Sequence, residues 1–446
     1  MRSWTYREWI ARGIARALLA GDDRSMPALR SRAAQALGGS PPWLGHFLGR
    51  LKSMDAGIWA RTDLDALTWR LLRGETLSRA VGAEDRPRIR RLMLASPVML
   101  PPPMGLDVLG LPALPTTGDL ADWLGLTLDR LDWLAGEQLD WREDARRARH
   151  YVLHASPKSA GGLRLIESPK PELKRAQRRL LAGLLDRVPV HEGCHGFVRG
   201  RGVRSHAQVH AGQALVLRLD LRDFFPCVRA AQVRAVWRTL GYPREVAEVL
   251  TRLCTTRACA ADLRPLREAG RLEWTAAKRY AARHLPQGAP TSPMLANLCA
   301  FDLDLRLDGL AQAFGGQYSR YADDLAFSFA QPLGGRQAAF HAWVAAIAED
   351  EGWSLHPQKS RAMPAGTQQR VTGLVVNEKP RPSRTNYDRL KAVLHQCALH
   401  GPASQNHAQV EDFRAHLLGR IAWIAQGSEA RARKLQALFE RIAWAG

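Results

Sequence analysis

The sequence lacks the features that mark membrane, disulfide-rich and zinc-binding proteins. None of its apolar runs approaches the ~20 residues that a membrane span requires. Arg12 and Arg16 interrupt the apolar pattern near the start, which argues against a secretory signal. The six cysteines form no C-x2-C pair and no zinc set, so we interpret them as buried apolar side chains. This pattern predicts a protein of a reducing, cytoplasmic compartment without a membrane partner.

Acidic residues are scarce relative to basic ones. The 446-residue chain has 43 Asp and Glu against 64 Lys and Arg, which gives a formal net charge of +21. Nine of the basic residues are lysines, and a coding bias explains that preference for arginine but not the shortage of acids. With 46% hydrophobic and 24% charged residues the composition is globular. We therefore expect a globular protein with a polyanionic partner, and nucleic acid fits best.

The length predicts two or three domains, and the pattern changes along the chain. Residues 1 to about 95 are predicted to be helical, and a proline-rich stretch from Pro97 to Pro115 marks the clearest boundary. Strands and helices alternate after Tyr151. Specific predictions are helices at Leu64–Leu72, Arg229–Leu240, Pro293–Leu310 and Gln337–Glu351, an amphipathic stretch at Leu120–Leu134, strands at Leu215–Leu221 and Val371–Asn377, a hairpin of Tyr318–Tyr321 and Leu325–Phe329, and basic helices from Tyr387 onward.

Three aspartates stand at the ends of hydrophobic strands in this basic protein. Asp220 ends the run LVLRLD, and Asp323 and Asp324 occupy the turn of YSRYADDLAFSF. A single aspartate at such a position commonly caps a turn. Three from two strand ends are the hard oxygen ligands expected for phosphoryl transfer with two Mg2+ ions. We predict that these residues are catalytic and bind metal.

Five segments together resemble the reverse transcriptase family. They occur in the order of that family over about 200 residues. They are a basic finger hairpin with Lys158 and Arg164, a first catalytic segment at Asp220–Phe225, a template- and nucleotide-contacting segment at Gln287–Pro293, the Y-x-D-D turn at Tyr321–Asp324, and a lysine after the catalytic hairpin, Lys359. The resemblance implies an α+β right-hand polymerase, with fingers, a palm built on an antiparallel sheet, and a helical thumb.

The resemblance also implies a role for each segment. Asp220 and Asp323 bridge two Mg2+ ions, for which Mn2+ could substitute, and Asp324 is a nearby ligand. Phe225 lies under the sugar and selects deoxynucleotides, because its ring collides with a 2′-hydroxyl. Lys158 and Arg164 offset the charge of the triphosphate, Gly288 lets the backbone approach the base pair, and Lys359 protonates pyrophosphate. These residues and Gln287 make up the remaining nucleotide-binding set.

Two further motifs resemble the retron reverse transcriptases. Val371, Thr372 and Gly373 match the V-T-G element of that family. The segment His206–His210 reads H-A-Q-V-H, where the family carries N-A-x-x-H, so His206 replaces the asparagine. The resemblance implies RNA binding by His210 and by the V-T-G residues. Between residues 158 and 210 eleven Lys or Arg face four acids, which fits tracking of an RNA backbone.

The proline-rich break and the extent of the resemblance, about residues 117–446, together predict a domain plan. A helical N-terminal extension of unknown role spans residues 1–115 and ends in a proline-rich linker. The fingers and palm occupy residues 116–375, and an RNA-binding helical thumb occupies residues 376–446.

The implied activity is RNA-directed DNA synthesis. A retron enzyme binds a cognate structured noncoding RNA, starts from a 2′-hydroxyl, and uses dNTPs to copy part of that RNA into single-stranded DNA. The RNA–DNA product commonly acts with an effector protein in defence against phage. Three alternatives remain: a group II intron type, disfavoured by the short region after Gly373; an abortive-infection reverse transcriptase; and a catalytically silent RNA-binding scaffold.

Overall fold

The chain forms two compact units of helices and antiparallel sheets. The structure, a computed structural model, describes residues 5–73, 75–92, 97–136, 150–157 and 163–444. The first unit comprises Met1–Trp133 with Trp237–Leu250, and the second comprises Leu134–Val236 with Thr251–Gly446. In the described ranges, no helix is both long and apolar enough to span a membrane. The α+β class predicted from the sequence agrees with this content.

The first unit is helical and has its own core. The helix Tyr6–Leu19 begins at Thr5, whose side chain forms a capping box with Glu8. It packs against the helix Leu64–Leu72, whose bounds match the prediction. Ile10, Leu18, Leu67 and Leu71 are among the fully buried side chains between these helices and their neighbours. The helices before residue 136 are Tyr6–Leu19, Met26–Leu37, Trp43–Leu48, Ala56–Arg61, Leu64–Leu72, Glu75–Gly82, Thr117–Leu124 and Leu128–Ala135.

The proline-rich stretch packs against the segment Trp237–Leu250. The amide of Leu100 donates to the carbonyl of Gly241 at 2.8 Å. The Tyr242 hydroxyl donates to the carbonyl of Pro112 at 3.2 Å. The first unit therefore takes in a segment from the middle of the sequence, and the boundary predicted at residue 115 lies inside it.

The second unit is built around a four-stranded antiparallel sheet. Its strand order is β4-β5-β3-β6, and β3 is a central strand paired with both β5 and β6. In this register Asp220 lies opposite Asp324. The strands are β3 (Leu215–Asp220), β4 (Gly316–Tyr321), β5 (Asp324–Phe329) and β6 (Arg361–Pro364).

Two smaller sheets and many helices complete the second unit. A hairpin of β1 (Tyr151–Pro157) and β2 (Leu163–Pro169) precedes the main sheet, and three two-residue strands follow it. Those strands are β7 (Arg370–Val371), β8 (Leu374–Val375) and β9 (Arg381–Pro382). The last three helices share a separate apolar core. Helices after residue 170 are Pro171–Gly183, Val203–Val209, Phe224–Cys227, Ala230–Thr239, Arg244–Cys254, Ala260–Glu268, Trp274–Ala281, Ser292–Cys299, Phe301–Ala313, Gln337–Asp350, Arg384–His400, Phe413–Ala425 and Glu429–Phe439.

Three predicted elements are broken in the structure. The single strand predicted at Val371–Asn377 is wrong, because Thr372 and Gly373 take positive φ values of 44° and 86° and reverse the chain between β7 and β8. The helix predicted at Pro293–Leu310 is interrupted at Ala300, which leaves helical geometry. The amphipathic stretch Leu120–Leu134 is interrupted at Gly125, which has a φ of 67°.

Candidate active site

The three predicted aspartates meet at one end of the main sheet. Asp220 is the last residue of β3 and lies opposite Asp324, the first residue of β5. Asp323 occupies the tight turn between β4 and β5, where Ala322 takes a left-handed φ of 57°. The amide of Leu221 donates to the carbonyl of Asp323 at 2.9 Å, which fastens the turn to the end of β3. Strand register therefore brings together carboxylates that lie about 100 residues apart in the chain.

Cationic side chains contact two of these carboxylates. Lys359 Nζ donates to Asp220 Oδ1 at 3.0 Å and to Oδ2 at 2.9 Å. Arg218 Nε donates to Asp324 Oδ1 at 3.0 Å. Burial, and then repulsion from Asp220 and Asp324, raises the pKa of Asp323 to about 6. The surroundings of Asp323 therefore disfavour its ionised form. A cation bound beside it would favour that form.

As they stand, the side chains do not form a ready-made metal site. Across the described residues, no group of three or more His, Cys, Asp or Glu side chains is arranged to hold a metal ion. Mg2+ usually takes one or two protein carboxylates and completes its shell with waters and substrate phosphates. Asp220 and Asp323 meet that smaller requirement in type and position.

A buried ion pair supports the turn from the opposite side of the hairpin. Arg320 and Asp304 are both fully buried, and their side chains are joined by two hydrogen bonds of 2.7 and 2.6 Å. Arg320 Nη1 also donates to the carbonyl of Ala322 at 3.2 Å, inside the turn. Burial acts to lower the pKa of Arg320, but the Asp304 carboxylate outweighs it and raises that pKa. Arg320 is therefore a permanent cation that holds the turn backbone.

A glycine loop also packs against this turn. A Cβ atom on Gly196 would lie 2.6 Å from the backbone nitrogen of Ala322, so a larger residue could not keep this approach. Asn297 Nδ2 donates to the carbonyl of Gly196 at 2.8 Å, and its Oδ1 accepts from Arg320 at 3.0 Å. Sequence reasoning missed Gly196, Asn297, Asp304 and Arg320, although Arg320 adjoins the predicted motif.

Phe225 belongs to an aromatic group beside the aspartates. It is half-buried, and its ring centroid lies 5.4 Å from that of Phe224 and 6.3 Å from that of Phe197. Phe197 is 50% exposed, has a left-handed φ of 61°, and also lies 6.2 Å from Tyr321. An exposed phenylalanine in this backbone conformation is uncommon.

The predicted nucleotide-binding residues have different placements. Lys158 lies outside the described residues. Arg164 is exposed on β2, where it lies opposite Ser156. The Gln287 carbonyl accepts from the amide of Glu167 at 2.8 Å. Gly288 has a φ of 134°, and a Cβ there would meet the Glu167 carbonyl at 3.0 Å, so this glycine fits closely against β2.

The predicted RNA-binding residues differ in exposure: His210 and Val371 are buried, Thr372 is half-buried and Gly373 is exposed. His210 is fully buried, and its ring nitrogens lie 2.8 Å from Ser328 Oγ and 2.7 Å from Ser319 Oγ. Val371 is 1% exposed. Thr372 Oγ1 lies 3.4 Å from His206 Nδ1, so the V-T-G turn packs against the helix Val203–Val209. Because His210 and Val371 are buried, we expect them to position other groups, whereas the exposed Gly373 could contact RNA directly.

Three neutral histidines cluster near Tyr321, of which His206 and His210 are buried and His195 is half-buried. Burial lowers the pKa of His206 to about 3 and that of His195 to about 4. Burial also lowers the pKa of His210 well below its ordinary value. The His206 ring lies 5.9 Å from the Tyr321 ring and 5.8 Å from each of the other two histidine rings. Near neutral pH these rings act as uncharged packing and hydrogen-bonding groups.

Comparison with known proteins agrees with this geometry. A family model described as reverse transcriptase (RNA-dependent DNA polymerase) matches residues 156–378. The chain is 38% identical over 337 residues to the retron Mx65 reverse transcriptase of Myxococcus xanthus, which covers 76% of this chain and 74% of that protein. It is 41% identical over 276 residues to the retron Mx162 reverse transcriptase of the same organism, covering 60% of this chain and 54% of that protein. The retron Ec86 reverse transcriptase of Escherichia coli is 31% identical over 288 residues, covering 64% of this chain and 79% of that protein.

The opposed carboxylates and the family match together define an RNA-directed DNA polymerase. The chain belongs to the retron reverse transcriptases. Both the enzyme class and the retron type predicted from the sequence are thereby confirmed.

Proposed function

We propose that this polymerase copies part of a cognate structured noncoding RNA into single-stranded DNA, starting from the 2′-hydroxyl of a branching guanosine. The observation that carries the proposal is the placement of Asp220 opposite the Asp323–Asp324 turn in a chain similar to retron enzymes. We place the reaction in the cytoplasm. We also propose that the RNA–DNA hybrid acts with an effector protein in defence against phage.

We assign the elements of the second unit to the fingers, palm and thumb of a right-hand polymerase as follows. The hairpin of β1 and β2 would form part of the fingers, and the sheet β4-β5-β3-β6 would form the palm. The three helices Arg384–His400, Phe413–Ala425 and Glu429–Phe439 would form the thumb. Their shared apolar core supports this assignment.

Divalent metal ions are general to reverse transcriptases, and we propose that this enzyme uses two Mg2+ ions. Asp220 and Asp323 would hold them, with Asp324 nearby, and Mn2+ could substitute. Bound Mg2+ lowers the pKa of the attacking hydroxyl and stabilises the leaving pyrophosphate. The raised pKa of Asp323 supports this assignment, because a cation would favour its ionised form.

Lys359 would have two successive partners. Before substrate binds, its ammonium group neutralises Asp220 at 2.9 Å. If Asp220 served as a metal ligand, it would give up this pairing, and Lys359 would become available as a cation for the leaving pyrophosphate. A lysine donor near this group could then supply its proton, which agrees with the role predicted from the sequence.

Phe225 would lie under the sugar of the incoming nucleotide. Its half-buried ring lies near those of Phe224 and Phe197, and these contacts would help to position it against a 2′-hydroxyl. Arg164 and Lys158 would offset the triphosphate charge, while Gln287 and Gly288 would line the template side.

The test is to identify the nucleic acid made in cells. The chain is expressed together with the DNA that flanks its coding region, and nucleic acid bound to the purified protein is sequenced. We expect single-stranded DNA joined to RNA through a 2′,5′ linkage, and no such DNA from the matched variant Asp323→Asn. Unbranched DNA would contradict the priming proposal while leaving polymerase activity intact. RNA without any DNA would instead favour a silent scaffold.

A further inference from the structure

A recess with an exposed tryptophan lies on the outer face of one helix in the first unit. It has a volume of about 490 Å3 and is formed mainly by the helix Leu64–Leu72 and its ends. Trp69 in this recess is 62% exposed, an unusual position for so large an apolar ring. The lining residues are Arg50, Thr62, Ala66, Trp69, Arg70 and Arg73.

The sequence dictates that this face points outward. Leu67 and Leu71, four residues apart, are buried in the core of the unit. Ala66, Trp69 and Arg73 follow the i, i+3, i+7 spacing of a different face, so they cannot join the same core. The amphipathic pattern of the helix therefore places this face in solvent. Trp69 occupies a position on it where a polar residue is usual.

The charge of the recess is positive. All the charged residues that line it are arginines: Arg50, Arg70 and Arg73. The acids nearest in sequence pair with other arginines: Asp63 with Arg238 at 2.5 Å, Asp65 with Arg12 at 2.6 Å, and Glu75 with Arg79. The arginines therefore present a positive field to any ligand of the recess.

The carbonyl end of the helix, which would repel an anion, is covered. A guanidinium nitrogen of Arg50 donates to the carbonyl of Arg73, and one of Arg7 donates to the carbonyl of Leu72. Two of the last carbonyl groups are thus hydrogen-bonded to cations, which offsets the negative end of the helix dipole. An anionic group can approach here without meeting free carbonyl oxygens at these two residues.

We propose that this recess binds single-stranded nucleic acid, with a base stacked on Trp69 and the backbone phosphates held by Arg70 and Arg73. Every base has a flat face for an exposed indole, and arginine pairs with phosphate through a planar fork. A fully paired duplex hides its base faces, so an unpaired strand is the fitting ligand. The proposal goes beyond DNA synthesis and does not depend on how that synthesis is primed.

The first test locates the contact. The full-length protein is mixed, without dNTPs, with a 12-nucleotide RNA carrying 5-iodouridine, irradiated, digested and analysed by mass spectrometry. We expect a crosslink on the peptide containing Trp69, and its loss in Trp69→Ala. The matched control is Trp9→Ala, which removes another tryptophan of the same unit, 45% exposed, and should retain the crosslink.

The second test measures affinity. Anisotropy of a labelled 12-nucleotide RNA is recorded with a saturating RNA–DNA hairpin present to occupy the polymerase site. Trp69→Ala should weaken binding about 5- to 100-fold, and Trp69→Phe should restore part of it, because stacking on an aromatic ring makes a contribution of this size. Arg70→Gln and Arg73→Gln should each flatten the slope of log affinity against log salt by about 0.7.

Three results would overturn the proposal. These are crosslinks that fall on other peptides but not on that of Trp69, equal RNA affinities for Trp69→Ala and Trp9→Ala, and a polyglutamate peptide that binds in a Trp69-dependent manner more tightly than the RNA. The last result would identify the recess as a docking site for an acidic protein segment instead.

Discussion

On each side of the β4–β5 hairpin a basic side chain pairs with an aspartate, but the two pairs differ in their exposure to water. On the open side, the side chain of Lys359 is 40% exposed and contacts Asp220, whose side chain is 8% exposed. On the buried side, Arg320 and Asp304 are both 0% exposed and share two hydrogen bonds. The two pairs therefore differ mainly in the access of water to the cation, and we expect the pair of the half-exposed Lys359 to exchange more readily than that of Arg320.

This difference assigns separate tasks to the two sides. As the proposed metal ligands, Asp220 and Asp323 would have to exchange partners during each reaction. The turn that carries Asp323 has to stay fixed, because a displacement of about 1 Å can cost a hundredfold in rate. The buried side supplies that rigidity through the hydrogen bond from Arg320 to Ala322. Substitutions on the open side should therefore affect chemistry, and those on the buried side should affect stability first.

The largest expected effect is on the open side, at Asp323. Asp323→Asn removes the negative charge in the turn and should lower dNTP incorporation by about a thousandfold or more, with little change in stability. Primer extension on an RNA template with Mg2+ measures the rate, and thermal melting checks the fold. The matched control Asp302→Asn changes an exposed aspartate on the helix Phe301–Ala313 and should leave synthesis unchanged. Unchanged synthesis by Asp323→Asn would refute its assignment as a metal ligand.

The buried side is tested at Arg320. Arg320→Met leaves the Asp304 carboxylate buried without its cation and should lower the free energy of unfolding by about 3–5 kcal/mol. The double variant Arg320→Met, Asp304→Leu removes both charges and should recover a large part of that loss. Its DNA synthesis should stay reduced, because the carbonyl of Ala322 still lacks its donor. Urea denaturation measures the stability, and a loss below about 1 kcal/mol in the single variant would show that the pair is not structural.

The histidines near Tyr321 predict acid sensitivity. His206 has a folded-state pKa of about 3, below the unfolded value near 6.5, so the unfolded state binds more protons between these values. Stability is therefore lost as the pH falls from 7 toward 3. His206→Asn should remove about 2 kcal/mol of the loss between pH 7 and pH 5. Urea denaturation at both pH values tests this. His395→Asn, at an exposed position, is the control, and equal pH dependence in wild type and His206→Asn would refute the prediction.

The smallest expected effect is a change of selectivity at Phe225. Phe225→Ala removes the ring proposed to collide with a 2′-hydroxyl and should raise the ratio of rNTP to dNTP incorporation about tenfold. Single-nucleotide extension measures both rates. Phe301→Ala, which truncates a 40% exposed phenylalanine, should leave the ratio unchanged. An unaltered ratio in Phe225→Ala would show that this ring only packs against its neighbours.

The sequence was most informative where periodicity and short-range geometry decide the structure. The helix Leu64–Leu72 was predicted with its observed bounds, and the hairpin carrying Asp323 was predicted within two residues. β3 ends at Asp220 and β5 begins at Asp324, so these carboxylates meet as soon as the two strands pair in an antiparallel manner. The type and position of the three carboxylates were predictable for this reason.

The support of the site was not predictable in the same way. Asp304 and Arg320 lie on different elements, and their pairing depends on how the helix Phe301–Ala313 packs on β4. The approach of Gly196 to Ala322 is likewise a tertiary contact without a local pattern. The predicted strand Val371–Asn377 failed because its apolar content does not reveal the reversal at Thr372 and Gly373.

The contact between the V-T-G turn and the helix Val203–Val209 has a consequence for protein engineering. Thr372 Oγ1 approaches His206 Nδ1 and also donates to the carbonyl of Val203 at 3.3 Å. Two motifs that lie about 165 residues apart in the chain therefore form a single tertiary contact. A chimera that exchanges segments with a relative carrying asparagine at the position of His206 should therefore transfer the helix Val203–Val209 and the V-T-G turn together. If only one of these two segments were exchanged, the residues at positions 206 and 372 would come from different proteins and would not be matched to each other.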